Sequence, residues 1–265
     1  MARASLWEAC KVIDILISPR APQLDLRPVM HRIGLIALST DHTTEVDFAR
    51  ILAPAGIGIY VARIPFVNPV TPERLRAMEP DLAGGAALIL PGESLDAIVY
   101  GCTSASVCIG DDVVQAQVTR GKPGCPVVTP VSAALKGLAA LKARRLSVLT
   151  PYTPDTSRPM AEMFEAVGYT IDRFTCLNMT DDRDMARIAQ DELVELARDA
   201  TSPQSDALFI SCTAVRAAGI IGRIEAATGT TALSSNYAAA WNAARICGVS
   251  GALAPGRLMA LQLPH

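Results

Sequence analysis

Residues 96–104 read DAIVYGCTS, and residues 206–214, which lie 110 positions further along the chain, read DALFISCTA. Each copy has an aspartate, a short apolar run typical of a buried strand, and then a cysteine followed by a threonine. Flanking segments repeat in the same order, as residues 32–36 (RIGLI) and 145–149 (RLSVL) illustrate. Several matched segments in one order indicate that the chain contains an internal duplication.

Beyond residue 31 the sequence alternates short, β-rich apolar runs with longer amphipathic stretches, a pattern typical of parallel sheets covered by helices. We therefore predict an α/β fold with two pseudo-symmetric lobes, each a parallel sheet of about four strands flanked by helices, and an active site in the cleft between them. The first lobe is predicted to comprise residues 32–129 plus 234–265, and the second residues 130–233. Residues 1–31 precede the first predicted strand and are assigned to an N-terminal extension.

The apolar runs and amphipathic stretches predict eight strands and eight helices after this extension. The predicted strands are 33–38, 58–64, 97–100, 127–129, 146–149, 170–173, 207–210 and 231–233. The predicted helices are 45–52, 72–90, 104–119, 132–142, 157–167, 182–199, 214–228 and 237–247.

Composition and charge argue against several classes of partner. The chain has 265 residues, 50% of them hydrophobic, and a formal net charge of −2. A near-neutral chain without a run of lysine and arginine is not expected to bind nucleic acid or an anionic membrane surface. Apolar runs such as residues 33–38 are far shorter than the roughly 20 residues that cross a bilayer. We predict no nucleic-acid partner and no membrane segment.

Cysteine usage and the N-terminal sequence predict a cytoplasmic location. The seven cysteines include no CxxC pair and no dense framework, which favours a reduced protein over a disulfide scaffold. The first thirty residues mix charged and apolar positions and lack the continuous core of a signal peptide.

The repeated cysteines, Cys102 and Cys212, are the strongest candidates for catalysis. Each is predicted at the carboxyl edge of a sheet, where a strand ends and a helix begins, and where open α/β proteins bind their ligands. A helix N-terminus favours thiolate over thiol through its dipole and its unpaired amides. The same amides, with the hydroxyls of Thr103, Ser104 and Thr213, can hold a carboxylate or a developing enolate.

Two cysteines on opposite sides of one carbon suit a reaction that moves a proton between its faces. One thiolate would remove the proton and the other thiol would deliver one from behind, as racemisation requires. With an alkene substrate, one sulfur could instead add covalently, allow rotation and then leave. Neither route needs a metal or an organic cofactor, and we predict none. A single cysteine at a strand end is usually a small buried hydrophobe, and we assign that structural role to the unrepeated ones: Cys10, Cys108, Cys125, Cys176 and Cys247.

Loops after other strands supply further candidates for substrate binding. Asp41 follows the first predicted strand, and either a helix cap or a substrate contact would explain it. Tyr152 follows the matching strand of the second copy and could pack in the core, form a lid or donate its hydroxyl to a carboxylate. Asn236 lies at the corresponding edge of a later strand. Residues 181–184 (DDRD) read as the charged first turn of a helix.

Motifs of other enzyme classes are missing from the sequence. The three histidines, His31, His42 and His265, are scattered and predict no zinc site. No GxSxG elbow and no GxGxxG fingerprint occurs, which argues against a serine hydrolase and a dinucleotide-binding enzyme.

The motifs at residues 100–106 (YGCTSAS), 149–152 (LTPY) and 209–214 (FISCTA) resemble the Asp/Glu racemase superfamily, in its maleate isomerase and arylmalonate decarboxylase branch. The likeness covers nearly the whole chain beyond the extension. Residues 90–93 (LPGE) and 181–183 (DDR) most resemble the ectoine-utilisation protein EutA. That resemblance implies a racemase acting in the breakdown of ectoine or hydroxyectoine, and a homo-oligomer.

Carried over by motif, Cys102 and Cys212 match the two catalytic cysteines of maleate isomerases, and Tyr152 matches their substrate-binding tyrosine. Possession of both cysteines argues against decarboxylation, since that branch keeps only the later one. Asp41 and Asp182 stand where maleate isomerases have asparagines. A carboxylate would repel dianionic maleate, whereas it could pair with the amidinium of an ectoine-type zwitterion.

The leading hypothesis is a cofactor-independent racemase or isomerase of a small carboxylate, in ectoine or hydroxyectoine utilisation, with Cys102 and Cys212 as base and acid. One alternative is cis-trans isomerisation of a maleate-like diacid by covalent cysteine addition. An alternative of another class is a non-catalytic ligand-binding protein that has kept the fold.

Overall fold

The structure is a computed structural model that describes residues 14–264. Residues 14–30 form no helix or strand and are mostly exposed, and the first strand begins at His31. The remainder of the predicted extension, residues 1–13, lies outside the described part, as do Cys10 and His265. None of the helices within residues 14–264 has the length and apolar content needed to cross a membrane.

Eight strands form two separate four-stranded sheets, and all the strands of each sheet are parallel. The strands are β1 (His31–Leu38), β2 (Ile57–Ile64), β3 (Ala97–Tyr100), β4 (Val127–Val128), β5 (Arg145–Thr150), β6 (Thr170–Cys176), β7 (Ala207–Ile210) and β8 (Thr231–Ser234). The first sheet has the order β2-β1-β3-β4 and the second the order β6-β5-β7-β8. The two orders are equivalent, so the duplication read from the sequence extends to the topology.

The central strands form the cores of the two sheets. All four residues of β3 and of β7 are buried, as expected for strands covered by helices on both faces. In the first sheet Ile36 of β1 pairs with Tyr100 of β3, and in the second Leu149 of β5 pairs with Ile210 of β7. This register brings the loops after β1 and β3 together at one edge, and likewise the loops after β5 and β7. The predicted two-lobe α/β fold is confirmed.

Eleven α-helices are present in the described part of the chain. They are α1 (Thr44–Leu52), α2 (Pro72–Arg76), α3 (Asp81–Leu88), α4 (Thr103–Ile109), α5 (Asp111–Gly121), α6 (Pro130–Ala140), α7 (Pro154–Ala166), α8 (Asp182–Met185), α9 (Gln190–Ala200), α10 (Ile221–Thr228) and α11 (Ser235–Ile246).

Three predicted helices are each two helices in the structure. Pro80 precedes α3 and lacks the N–H that a continuous helix over 72–90 would need. Gly110 separates α4 from α5 with a φ of 100°, which no helix accommodates. Extended backbone at Ala189 separates α8 from α9.

The predicted helix over 214–228 begins later than expected. Residues 213–217 form turns, a single 3₁₀ turn follows at Ala218–Ile220, and α10 starts at Ile221. The chain therefore leaves β7 differently from the way it leaves β3.

Helix α11 returns the chain to the first sheet. It is buried over nearly its whole length and packs against α1 and α6 as well as β3. Its Trp241 and Tyr237 are among the largest fully buried side chains of the molecule. The return after β8 agrees with placing residues 234–265 in the first lobe, and we retain the predicted lobe boundaries as a proposal.

Candidate active site

A small cavity, of about 20 Å³, lies at the carboxyl ends of the strands. It is lined from both sheets, so it occupies the cleft where the sequence predicted the site. Six of the eight predicted site residues line it: Asp41, Cys102, Ser104, Tyr152, Cys212 and Thr213. An apolar wall is formed by residues that the sequence did not single out: Leu38, Phe66, Val70, Leu75 and Ala214.

Cys102 caps the N-terminus of α4 from an extended conformation, with a φ of −147°. Its sulfur lies 3.8 Å from the Ser104 hydroxyl and accepts a hydrogen bond from the backbone N–H of Ala105. Burial raises the pKa of the Cys102 thiol to about 12, although both hydrogen bonds act to lower it. The expected preference for thiolate at this helix end is therefore outweighed by desolvation, and the group is a thiol at neutral pH.

Cys212 occupies a different backbone environment. Its φ is 92°, in the left-handed region that residues other than glycine rarely adopt. No α-helix begins at this residue, so the prediction of a helix N-terminus at the second cysteine is wrong. Burial raises the pKa of the Cys212 thiol to about 11, while the Tyr152 hydroxyl and the backbone N–H groups of Ala214 and Val215 act to lower it. Turn amides and a tyrosine thus take the place of a helix end.

Direct hydrogen bonds join the two cysteine loops across the cleft. The Thr213 hydroxyl donates to the Gly101 carbonyl at 3.0 Å, and the Gly101 N–H donates to the Ile36 carbonyl at 2.8 Å. A Cβ on Gly101 would lie 3.2 Å from that Ile36 oxygen, so the absence of a side chain permits the close approach. The Thr43 hydroxyl anchors the second loop by donating to the Ala214 carbonyl at 2.7 Å.

Thr103 and Asn236, the other two predicted binding residues, do not line the cavity. The Thr103 hydroxyl donates to the Ser235 hydroxyl at 2.7 Å. The Asn236 amide donates to the Thr213 carbonyl at 2.8 Å and to the buried Asp47 at 3.0 Å. Both side chains therefore hold the cysteine loops from behind.

Asp41 makes the helix-cap contact that the sequence suggested, and its side chain also lines the cavity. Its Oδ1 accepts the N–H groups of Thr43 and Thr44, at 2.6 and 2.9 Å, and so caps the start of α1. Its Oδ2 is buried and has no hydrogen-bond partner among the described residues, while the side chain lines the cavity. One carboxylate oxygen is structural and the other is available to a ligand.

Asp182 is a cavity residue that the reading of residues 181–184 as a helix start did not identify. The helix is present, with Asp181 as its N-cap, but Asp182 lines the cavity from its first turn. Its carboxylate accepts hydrogen bonds from the Thr40 hydroxyl and from the Asn68 amide, the latter at 2.6 Å. Only the family resemblance, in which this position matches a cleft asparagine, pointed to it.

Tyr152 connects the two sides of the cavity. Its side chain is buried, and its hydroxyl lies near the Cys212 sulfur and the Ser104 hydroxyl. Burial and the two neighbouring cysteines raise the pKa of the phenol well above its usual value. Tyr152 is thus a neutral hydroxyl donor at physiological pH.

One grouping of side chains elsewhere has a donor set suited to a metal ion. Within the described residues, His31, Asp96 and Cys247 place one ligand atom each within 4.8 Å of one another. His31 begins β1, so this grouping lies at the amino end of the first sheet, opposite the cavity. The sequence analysis predicted no zinc site, and this grouping contains a single histidine. The six cysteines of residues 14–264 are all free thiols.

Comparison with known proteins associates this cavity with a family of enzymes. A family model described as arylmalonate decarboxylase matches residues 81–259. The maleate isomerase of Nocardia farcinica (strain IFM 10152) is 27% identical over 193 residues, covering 69% of this chain and 76% of the relative. The arylmalonate decarboxylase of Bordetella bronchiseptica is 28% identical over 175 residues, covering 65% of this chain and 70% of the relative.

Solved structures extend the likeness to the whole fold. The Nocardia farcinica maleate cis-trans isomerase bound to TRIS superposes with a TM-score of 0.79 at 25% identity, covering 87% of this chain and 98% of that one. A cysteine-to-serine mutant of the same isomerase, with the same TM-score and coverage, carries a covalently bound succinylcysteine intermediate.

Proposed function

The chain belongs to the arylmalonate decarboxylase family, and from that premise we propose that it is a cofactor-independent racemase or isomerase of a small carboxylate that uses Cys102 and Cys212 as base and acid. Its curated relatives are enzymes, namely maleate isomerases and an arylmalonate decarboxylase, and the expectation that this chain is an isomerase-type enzyme agrees with them. The observation that carries the proposal is that both repeated cysteines line one buried cavity.

The proposed reaction is a 1,1-proton transfer. One sulfur, as thiolate, takes the proton from the carbon next to the substrate carboxylate, and the other, as thiol, donates its proton to the opposite face. The high thiol pKa values, about 11 and about 12, mean that either thiolate is a strong base, as removal of a proton from carbon demands. The cavity returns to its starting charge, with the two cysteines exchanged in role.

Hydrogen-bond donors beside the sulfurs would stabilise the negative charge that develops on the substrate. The Ser104 and Tyr152 hydroxyls line the same cavity as the cysteines. Backbone N–H groups of both cysteine loops also point to the sulfurs, as the hydrogen bonds from Ala105 and Ala214 indicate. Donors preorganised in a buried site act on a developing oxyanion far more strongly than water does. We assign Thr213 to the binding set as well, through the loop it stabilises.

The biological setting is proposed from the resemblance to EutA. It supports a role in ectoine or hydroxyectoine utilisation, with a homo-oligomeric assembly. Six free thiols suit a reducing, cytoplasmic environment.

Proton NMR of the purified protein in deuterium oxide tests the reaction directly. Hydroxyectoine, ectoine and maleate are incubated separately, without added cofactor. We expect deuterium to enter a stereogenic carbon of an ectoine, and the rate at which that carbon is inverted to fall by about 10²–10⁴-fold in both Cys102→Ser and Cys212→Ser. Cys108→Ser, which changes a half-buried cysteine outside the cavity, serves as the matched control. Inversion of the stereogenic carbon that survives in either cavity variant contradicts the two-cysteine mechanism, because inversion needs a sulfur on each face.

Cis-trans isomerisation of a maleate-like diacid is the second candidate. The maleate isomerases among the relatives and the covalent succinylcysteine in one of them favour it. In that reaction one sulfur adds to the double bond, the resulting single bond rotates and the sulfur leaves. Fumarate appearing from maleate in the same NMR experiment would select this candidate. If none of the three compounds exchanges deuterium or isomerises, a ligand-binding protein would be favoured.

A further inference from the structure

We infer that the substrate of the proposed enzyme carries a positive charge as well as its carboxylate, and that Asp41 and Asp182 are the residues that recognise this cation. The inference rests on the proposed function, because it describes the ligand of the same cavity. It concerns binding, however, and can be tested without turnover.

The unpaired oxygen of Asp41 is the first observation. Its side chain is 7% exposed, and its Oδ2 is buried without a hydrogen-bond partner among the described residues. An unpaired buried carboxylate oxygen is costly, since burial removes it from water without replacing the lost hydrogen bonds. The oxygen belongs to a residue that lines the cavity, so a ligand placed there can supply the missing donor.

Asp182 adds a second carboxylate to the lining of the cavity. It is 6% exposed and accepts hydrogen bonds from two neutral donors, Thr40 and Asn68. Thr40 precedes Asp41 in the chain, so this hydrogen bond ties Asp182 to the loop that carries Asp41. Neither Asp41 nor Asp182 forms an ion pair with a lysine, arginine or histidine of residues 14–264.

The remaining lining residues leave this acidic charge uncompensated. None of the described residues that line the cavity is basic. Its walls are apolar, and its other polar groups are the thiols and hydroxyls around Cys102 and Cys212. In surroundings of low dielectric the two carboxylates create a potential that attracts a cation and opposes a dianion.

The cavity therefore combines two carboxylates with a set of hydrogen-bond donors. A substrate carboxylate suits the donors beside the cysteines, and a cationic ammonium or amidinium suits the acceptors Asp41 and Asp182. An amidinium is planar and presents parallel N–H groups, which match carboxylate oxygens. The chemical class is a small zwitterionic acid, and the two carboxylates disfavour simple dicarboxylates.

Calorimetric titration of the full chain tests this assignment. A Cys102→Ser/Cys212→Ser background removes turnover, and the probes are ectoine as the zwitterion, acetamidinium as a bare cation and maleate as the dianion. We expect ectoine to bind most tightly, and Asp41→Asn or Asp182→Asn to weaken its binding about tenfold or more, because each removes one charge partner in a buried site. Asp184→Asn is the matched control: it removes an exposed carboxylate from the same helix, outside the cavity, and should leave affinity unchanged.

The two aspartate variants also protect the test against a folding defect. Asp41 caps α1, so Asp41→Asn is checked by circular dichroism, and Asp182→Asn provides independent evidence. Any of three results would overturn the inference. Maleate could bind more tightly than ectoine, ectoine could bind equally well to the wild-type aspartates and to both variants, or neither ectoine nor acetamidinium could bind. Aspartate-dependent binding without deuterium exchange would leave the inference standing and count against the proposed reaction. Deuterium exchange at the same rate in both aspartate variants would support the proposed reaction and count against the inference.

Discussion

The two cysteine loops are copies in sequence but not in backbone. After β3, Cys102 is extended, with a φ of −147°, and helix α4 begins at the next residue. After β7, Cys212 has a φ of 92° and the chain turns for several residues before α10. The strand, the cysteine and the threonine repeat, while the structure that supports each sulfur does not.

This difference teaches that two equivalent side chains can be prepared for unequal roles. Cys102 relies on one amide and the Ser104 hydroxyl, whereas Cys212 has two amides and the Tyr152 hydroxyl. The better-supplied sulfur has the lower thiol pKa, about 11 against about 12. Racemisation needs one base and one acid at any moment, and this asymmetry favours Cys212 as the first to ionise.

The hydrogen bonds that hold the two cysteine loops in place differ as well. The prediction with the largest expected effect concerns the stability of the protein when one of these hydrogen bonds is changed. A buried carboxylate holds the Cys212 loop: Asp47 accepts a hydrogen bond from the Asn236 amide, which also donates to the Thr213 carbonyl. Burial raises the pKa of Asp47 from 3.8 to about 6. The folded state therefore binds a proton more readily than the unfolded state between about pH 4 and pH 6, and stability falls as pH rises through that window.

Above pH 6, we expect the free energy of unfolding of Asp47→Asn to exceed that of the wild type by about 2 to 3 kcal/mol. This gain in stability should vanish below about pH 4. Asparagine keeps an oxygen that can accept from Asn236 but has no charge to bury. Urea unfolding across pH 3.5–8 measures this, with Asp112→Asn, an exposed change on α5, as the control for net charge. A gain that is the same at every pH would contradict the buried-charge explanation.

Thiol reactivity sharpens the comparison at the next level. The additional hydrogen-bond donors around Cys212 lower its thiol pKa, so the Cys212 thiolate is more abundant than the Cys102 thiolate at the same pH. Both side chains are similarly buried, at 5% and 4% exposure, so access does not separate them. We expect iodoacetamide to modify Cys212 faster than Cys102, and both residues slowly at pH 7.

Peptide mass spectrometry after timed labelling at pH 8–9.5 gives the two rates in one sample. Cys108, which is half-buried and outside the cavity, provides an internal reference. Tyr152→Phe removes a hydrogen-bond donor from Cys212 but not from Cys102. It should therefore bring the labelling rates of the two cysteines closer together. Faster labelling of Cys102 would reverse the assignment of the more easily ionised sulfur.

Much of the fold was predictable because buried parallel strands have short, continuous apolar sequences. The bounds of β3 and β7 match the predicted 97–100 and 207–210. Helix continuity was harder to predict, since the breaks depend on single residues such as Pro80 and Gly110 within otherwise helical patterns. A local pattern indicates which residues face the core but not where the chain changes direction.

The cavity was predictable to the extent that its residues follow strands. Asp41, Cys102, Tyr152 and Cys212 all do, and all line it. The charged run that contains Asp182 looks like any solvated helix start, and its burial depends on contacts with Thr40 and Asn68 from the other lobe. Pairings over more than a hundred residues leave no local pattern, so a sequence without its fold does not reveal them.

The smallest expected effect isolates the backbone difference itself. Alanine and glycine at either cysteine both delete the sulfur, so the difference between them reports mainly on the backbone. At the φ of 92° found for Cys212, glycine should be more stable than alanine by about 1 kcal/mol, because a Cβ strains the left-handed region. At the extended Cys102, glycine should be less stable than alanine by about 0.5–1 kcal/mol, because it loses more chain entropy on folding.

Urea unfolding of the four variants, Cys102→Ala, Cys102→Gly, Cys212→Ala and Cys212→Gly, measures these two differences. Loss of the thiol and most of the cavity effect are common to each pair and cancel in the difference. Opposite signs at the two positions are the expected result, and each position serves as the control for the other. The same sign at both would mean that the two loops share one backbone geometry, and the unequal roles assigned to the cysteines would then have to come from their hydrogen-bond donors alone.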